Sequence, residues 1–327
     1  MLTAIKNILP GTVTSVVVGL VALFLSQYYA APSMLFALLL GIAMSFLYQQ
    51  EKCIAGIEFT ACHTLRIGVA LLGFRIALSD LVTMGWKTTF FLIIAITSTI
   101  FLGVFLARLL GLQKRFGMLT GGAVGICGAS AAMAISAVLP EDRDKDRDTS
   151  LTIIGVTSLS TIAMLAYPIA AKMLGLDESQ TGVFLGATIH DVAQVVGAGY
   201  SVSEQTGDLA ILTKLIRVAF LMPVVVCILL LVKLKFTGPT TASAPGFPGF
   251  LIAFVVFMLV NSTINIPEQI SATATDISQF CLVIAIAAIG MKSNISQITQ
   301  VGIKPIILIV VETLWIAVLV LACIWFV

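Results

Sequence analysis

The chain has 327 residues, 59% hydrophobic and only 10% charged, with 18 basic and 16 acidic side chains and a mean hydropathy of +1.10. A soluble domain is about a quarter charged, so this complement cannot clothe a water-soluble fold, and a formal net charge of +2 without a dense basic run excludes nucleic-acid binding. A cytosolic enzyme, a DNA-binding protein and a disordered chain are excluded together, which leaves an integral membrane protein.

A spanning helix needs about 20 mostly apolar residues, so the length allows roughly ten or eleven membrane segments. Apolar runs between polar breaks predict an all-α polytopic fold with segments near 9–27, 33–48, 64–78, 86–110, 117–139, 150–174, 181–199, 208–232, 248–262, 276–290 and 304–326. The runs are continuous rather than alternating, which excludes a β-barrel. Those at 33–48, 64–78, 248–262 and 276–290 are short for a full crossing and suit tilted, broken or shielded helices. No small-residue cleavage site follows the first run, so it is expected to stay as a helix. One membrane domain is expected over 1–327, with approximate halves 30–174 and 181–327.

The six cysteines (Cys53, Cys62, Cys127, Cys227, Cys281, Cys323) are scattered, without a Cys-x-x-Cys pair, and indicate neither a disulfide framework nor a zinc site. Lys and Arg set orientation. If every segment crosses, the charged run Glu141–Asp148 lies outside with Arg143, Lys145 and Arg147. If 117–139 and 181–199 are both re-entrant, that run moves inside and only Lys87 and Lys172 stay clearly outside, which fits the positive-inside rule better.

Two internal echoes point to inverted repeats. Residues 73–87 match 290–304 at an offset of 217, with Gly73/Gly290, Ser79/Ser296, Gly85/Gly302 and Lys87/Lys304 identical. A weaker echo pairs Gly117-Met-Leu-Thr-Gly-Gly-Ala-Val with Gly182-Val-Phe-Leu-Gly-Ala-Thr-Ile at an offset of 65. One head-to-tail duplication cannot produce both offsets, and the longer match is the better supported.

Two stretches carry candidate chemistry. Gly121, Gly122, Gly125 and Gly128 fall within eight residues, and each costs about 1 kcal/mol relative to Ala inside a helix. They predict a broken helix, whose half-helix N-terminus can hold an anion, with Cys127 and Ser130 lining that site. Tight small-residue packing is the alternative. The second stretch places Thr188, His190, Asp191 and Gln194 within seven residues of apolar sequence, where a central Asp alone costs about 2.5–3.5 kcal/mol. His190 has a suitable intrinsic pKa for proton coupling, and Asp191 can hold a proton or help ligate Na⁺; a cluster that caps a broken helix is the alternative. Lys214 and Arg217, spaced i,i+3 ahead of an expected kink at Pro223, either bind an anion or snorkel to the interface. Glu312, mid-segment with no base within a turn, is either a relay carboxylate or a buried tie between helices.

Leu65-Arg66-Ile-Gly68, Leu71-Leu-Gly-Phe74, Gly125-Ile-Cys-Gly-Ala-Ser130, Gly186-Ala-Thr-Ile-His-Asp-Val-Ala-Gln-Val195 and Lys214-Leu-Ile-Arg217 with Pro223 together resemble the YeiH-like bacterial inner-membrane family, whose members are labelled sulfate exporters. The likeness runs from about residue 30 to the C-terminus. It implies a transporter, and more distantly a fold similar to bile-acid/Na⁺ symporters and Na⁺/H⁺ antiporters, with inverted repeats and broken helices that cross near the midplane. That implication favours crossing helices, against the charge count.

The expected function is a secondary transporter of a small anion, a sulfur oxyanion or sulfonate such as sulfate or sulfite, in the inner membrane. Expected substrate contacts are Gly122, Gly125, Cys127, Gly128, Ser130, Thr188, Gln194 and Arg217, with His190, Asp191 and Glu312 coupling transport to H⁺ or Na⁺. No cofactor and no catalytic residue is expected; a metal ligand set is left unassigned. The bilayer and the anion are the expected partners, nucleic acid is not one, and a homodimer is left open. No Gly-x-x-x-x-Gly-Lys-Ser/Thr loop marks an ATP-driven pump. A passive anion channel and an intramembrane thiol enzyme, with Cys127 as nucleophile and His190 as base, are the alternatives.

Overall fold

The computed structural model describes residues 2–29, 32–76, 79, 85–140, 144–235, 249–264, 266–292 and 303–326, and among them regular structure is helical, without strands. In chain order the helices are α1 (Leu2–Tyr29), α2 (Ser33–Ala43), α3 (Glu51–Phe59), α4 (Leu65–Leu71), α5 (Gly85–Leu109), α6 (Lys114–Gly125), α7 (Ala129–Val138), α8 (Lys145–Met173), α9 (Glu178–Thr188), α10 (Val192–Tyr200), α11 (Glu204–Ala219), α12 (Leu221–Lys235), α13 (Gly249–Thr263), α14 (Glu268–Lys292) and α15 (Ile303–Phe326). The chain is a polytopic all-α membrane protein.

Seven of the eleven expected segments are helices long and apolar enough to cross a membrane: Asn7–Tyr29, Glu51–Phe74, Gly85–Leu109, Lys145–Met173, Glu204–Val232, Gln269–Lys292 and Ile303–Trp325. The other four, near 33–48, 117–139, 181–199 and 248–262, form shorter helices. Two boundaries need correction. The segment expected at 64–78 begins at Glu51, continuing through a π turn at Thr60–Thr64, and the one at 276–290 begins at Glu268. Polar side chains such as Glu51, Glu58 and Asp276 read as breaks in an apolar run, but they oppose lipid contact rather than helix formation. The kink expected at Pro223 is a turn at Phe220, which places the proline in the first turn of α12. The echo between 73–87 and 290–304, and the start of the Glu141–Asp148 run, lie partly outside the described residues.

The chain packs as two compact units that interleave in sequence. This is a division by packing, a different property from repetition between 30–174 and 181–327. One unit comprises residues 1–85, 196–208 and 248–294. Its helices cross where side chains are absent. A Cβ on Gly56 of α3 would lie 2.7 Å from the Cα of Gly11 on α1, and one on Gly290 of α14 would lie 2.9 Å from the Cα of Gly41 on α2. Ser278 of α14 donates to the Gly68 carbonyl of α4 at 2.6 Å. At one end Arg75 pairs with Glu204 and with Asp208, each at 2.9 Å, and Tyr200 donates to the other Asp208 oxygen at 2.7 Å.

The second unit comprises residues 86–195, 209–247 and 295–327. Here α6 and α7 fold back on one another. A Cβ on Gly122 would strike the Ile135 side chain, and Arg115, Phe116 and Leu119 of α6 share a small cavity with Ser136, Leu139 and Pro140 at the far end of α7. Residues 13 apart in a straight helix would be separated by about 20 Å, so the segment 117–139 is a helical hairpin. Its tip is the turn Ile126–Gly128. Gly128 has φ 65° and ψ −125°, a backbone that any other residue adopts only under strain.

Candidate functional site

α15 is the scaffold on which two helix breaks meet. Phe116 of α6 packs with Leu308 of α15, and one turn further Thr120 donates to Glu312 Oε1 at 2.8 Å. α9 approaches the same helix from its other end: Ser179, Gln180, Val183 and Ala187 line a cavity with Leu319, Val320, Cys323 and Ile324, and beyond the end of α9 His190 meets Thr313 at 2.9 Å. So α6 and α9 run toward each other and stop at the middle of α15, near Glu312 and Thr313. The start of α9 is fixed by a capping box between Asp177 and Gln180, with bonds of 2.7 and 3.1 Å. The tip of the hairpin touches the second break, since a Cβ on Gly128 would lie 3.5 Å from His190 Cβ.

An α-helix that stops inside a membrane leaves its last carbonyls without partners. α11 supplies them. Lys214 donates to the carbonyls of Ile126 and Ile189, each at 2.8 Å. Arg217, one turn on, donates to Val124 and Gly125 of α6 at 2.7–3.0 Å. Through Nη1 it also donates to Gly186, Ala187 and Ile189 at 2.6–3.3 Å. Both side chains are fully buried, and they place positive groups on two negative helix ends. The five N–H donors of a guanidinium are all occupied by carbonyls here. Arg217, expected as an anion contact, bonds the carbonyl ends of both breaks.

The remaining residues form a buried polar belt around the breaks. Ser160 of α8 accepts from the His190 and Asp191 amides at 3.1 and 3.2 Å. The half-buried Asp191 accepts the Ala193 amide at 3.2 Å, which makes it the N-cap of α10. Gln194 donates to Thr161 at 2.9 Å. Thr188 returns its hydroxyl to the Phe184 carbonyl at 2.6 Å, inside its own helix. Thr313 donates to Ile309 at 2.8 Å and lies 2.9 Å from His190 Nε2, within hydrogen-bond distance of the ring. His190 Nδ1, Gln194 Oε1 and Glu312 Oε2 are buried without a hydrogen-bond partner.

The expected site residues therefore lie in one unit, in several roles. Gly122 allows the hairpin to close, Gly128 makes its tip, and Gly125 offers its carbonyl to Arg217. Cys127 is buried in the tip, and Ser130 is exposed in the first turn of α7. Glu312 lies in a slot lined by Gly103 of α5 and by Thr120. Thr120, Ser160, Thr161 and Thr313 were not anticipated. Their only signal was a cluster of hydroxyls in apolar helices, which any helix can satisfy through its own i−4 carbonyls. Among the described residues no group of three or more His, Cys, Asp or Glu is placed to hold a metal ion.

The sequence from residue 10 to residue 309 matches the family model described as conserved hypothetical protein 698. The UPF0324 membrane protein CT0845 of Chlorobaculum tepidum is 48% identical over 95% of this chain and 88% of its own length. The chain belongs to the UPF0324 membrane protein family. The UPF0324 membrane protein TauZ of Paracoccus pantotrophus is 45% identical over 97% of this chain and 95% of its own length. The UPF0324 inner membrane protein YeiH of Escherichia coli is 28% identical over 95% of this chain and 92% of its own length. The resemblance read from the motifs is thus a family membership, and the chain is a multi-pass protein of the cell membrane.

Proposed function

We propose that this chain is a secondary active transporter of a small anion, a sulfur oxyanion or a sulfonate, with sulfate and sulfite as the first candidates. One observation carries this reading. Two helices broken at the middle of α15 present the N-termini of α7 and α10 at their breaks, while Lys214 and Arg217 cover the opposing carbonyl ends. Each helix end carries about half a charge, so two cationic side chains outweigh the two negative ends they cap. The two positive ends add to that balance, and the single carboxylate of Asp191 offsets part of it. The amides at the start of α7, with Ser130, are the contacts for an anion, and the N-cap Gly128 makes no side-chain capping bond. Gln194 flanks them.

In this reading Glu312 and His190 couple transport to a proton, because each is fully buried and keeps one polar atom unpartnered. Asp191 contributes by holding α10 in register. Alternating access then delivers anion and coupling ion together.

The test is uptake by proteoliposomes that contain the purified chain, with imposed pH or Na⁺ gradients and a panel of sulfate, sulfite, sulfonates and small carboxylates. Accumulation above equilibrium that follows one gradient supports the reading. Flux that equilibrates whatever gradient is imposed makes the protein a channel. A Cys127→Ala protein that keeps full uptake removes the thiol-enzyme alternative.

A further inference from the structure

Within the second unit α5, α9 and α15 enclose a half-open cavity of about 240 Å³. For scale, an apolar cavity of about 150 Å³ holds benzene. Its polarity is ordered along its length. Thr88, Ser179 and Gln180 lie at one end, in the first turns of α5 and α9 and beside the last turns of α15. Phe91, Val183 and Leu319 line it further in, and it ends on Ala187. From Gln180 to Ala187 a helix advances about 10 Å. Polar groups at helix ends and apolar ones toward the middle reproduce the profile of one bilayer leaflet.

The outer faces of the same helices state what medium meets the opening. Trp86 and Phe90 of α5 are 75% and 53% exposed, and Val318 and Trp325 of α15 are 64% and 70% exposed. Large apolar side chains exposed along spanning helices face hydrocarbon, with Trp at the interface.

We propose that this cavity holds one acyl chain of a membrane phospholipid. The Ala187 wall gives the lipid a route to the site, because the Ala187 carbonyl accepts from Arg217 at 2.6 Å. A chain seated there presses on the last turn of α9, immediately before the break. The inference is independent of whether the protein transports an anion.

Full-length protein, washed in detergent and then supplied with phosphatidylethanolamine and phosphatidylglycerol, is treated with a maleimide, and alkylation at Cys323 is read by peptide mass spectrometry. Cys323 is half-buried in the cavity wall, so lipid is expected to slow its labelling several-fold and to leave the exposed Cys227 unchanged. Val183→Phe, which fills the cavity, is expected to lose phospholipid retained through purification and to abolish the lipid-induced rise in melting temperature. Equal Cys323 labelling with and without lipid overturns the proposal without any variant. So does protection that depends on protein concentration rather than lipid, which makes the face an interface between two copies.

Discussion

Glu312 and Thr313 are neighbours on α15, and each serves a different broken helix: Glu312 accepts from Thr120 of α6 at 2.8 Å, and Thr313 shares a hydrogen bond of 2.9 Å with His190 Nε2 beyond α9. One peptide unit thus joins the two breaks.

Glu312→Gln separates the acid from the shape. The amide keeps an acceptor for Thr120 and removes the titratable carboxyl, so the protein is expected to fold with a melting temperature equal to or above that of the parent. Uptake into proteoliposomes is expected to lose its response to an imposed pH gradient. Retained pH-driven accumulation in the Gln variant would show that Glu312 carries no proton. Glu312→Ala instead leaves Thr120 without its carboxyl partner and opens a void, at a cost of about 1–3 kcal/mol for the buried hydroxyl alone.

Lys214 and Arg217 are expected to matter for folding before they matter for transport. Arg217→Ala leaves carbonyls of Val124, Gly125 and Ala187 short of a donor, while that of Ile189 keeps Lys214. Each bare carbonyl costs about 1–3 kcal/mol, against a total stability of about 5–15 kcal/mol. Size-exclusion chromatography is expected to show aggregated protein. Arg217→Lys, which keeps one charge but loses the fork, is expected to fall between. A monodisperse Arg217→Ala protein with the parent's melting temperature would refute the capping role.

These two residues also show what a sequence can and cannot convey. Their i,i+3 spacing was legible, and so was the abnormality of four glycines between 121 and 128 and of polar side chains between 188 and 194. Their partners were not, because backbone carbonyls at broken helix ends have no letter in the sequence. The weaker echo, Gly117–Val124 with Gly182–Ile189, turned out to fall on the two helices that end at the breaks, α6 and α9. It is short because only the close approaches are constrained: a Cβ on Gly117 meets Gly103 on α5, and one on Gly186 meets Ala210 on α11. The other faces need only be apolar.

Arg75 offers a test away from the breaks. It is 22% exposed and joins Asp208, itself 22% exposed, to Glu204, which is 68% exposed. Arg75→Ala leaves the Asp208 carboxylate with Tyr200 as its hydrogen-bond partner and is expected to cost about 1–3 kcal/mol in thermal or denaturant unfolding. Glu204→Ala, which removes a solvent-screened partner, is expected to cost under about 1 kcal/mol. Equal losses from both substitutions would contradict this ordering.

The hairpin makes the sharpest prediction because it fixes sidedness. If α6 and α7 fold back at Ile126–Gly128, the chain before Lys114 and the chain after Val138 lie at the same membrane face. α9 runs along α15 from the opposite end, so Glu178 lies at the other face. Single-cysteine proteins carrying Gln113→Cys, Asp144→Cys or Glu178→Cys, with the native cysteines replaced, can be labelled with a membrane-impermeant maleimide in right-side-out and inverted vesicles. Gln113→Cys and Asp144→Cys are expected to label together, and Glu178→Cys only in the opposite vesicle orientation. Labelling of positions 113 and 144 from opposite sides would make 117–139 a crossing segment. It would also return the Glu141–Asp148 run, with Arg143, Lys145 and Arg147, to the outer face that the positive-inside rule disfavours.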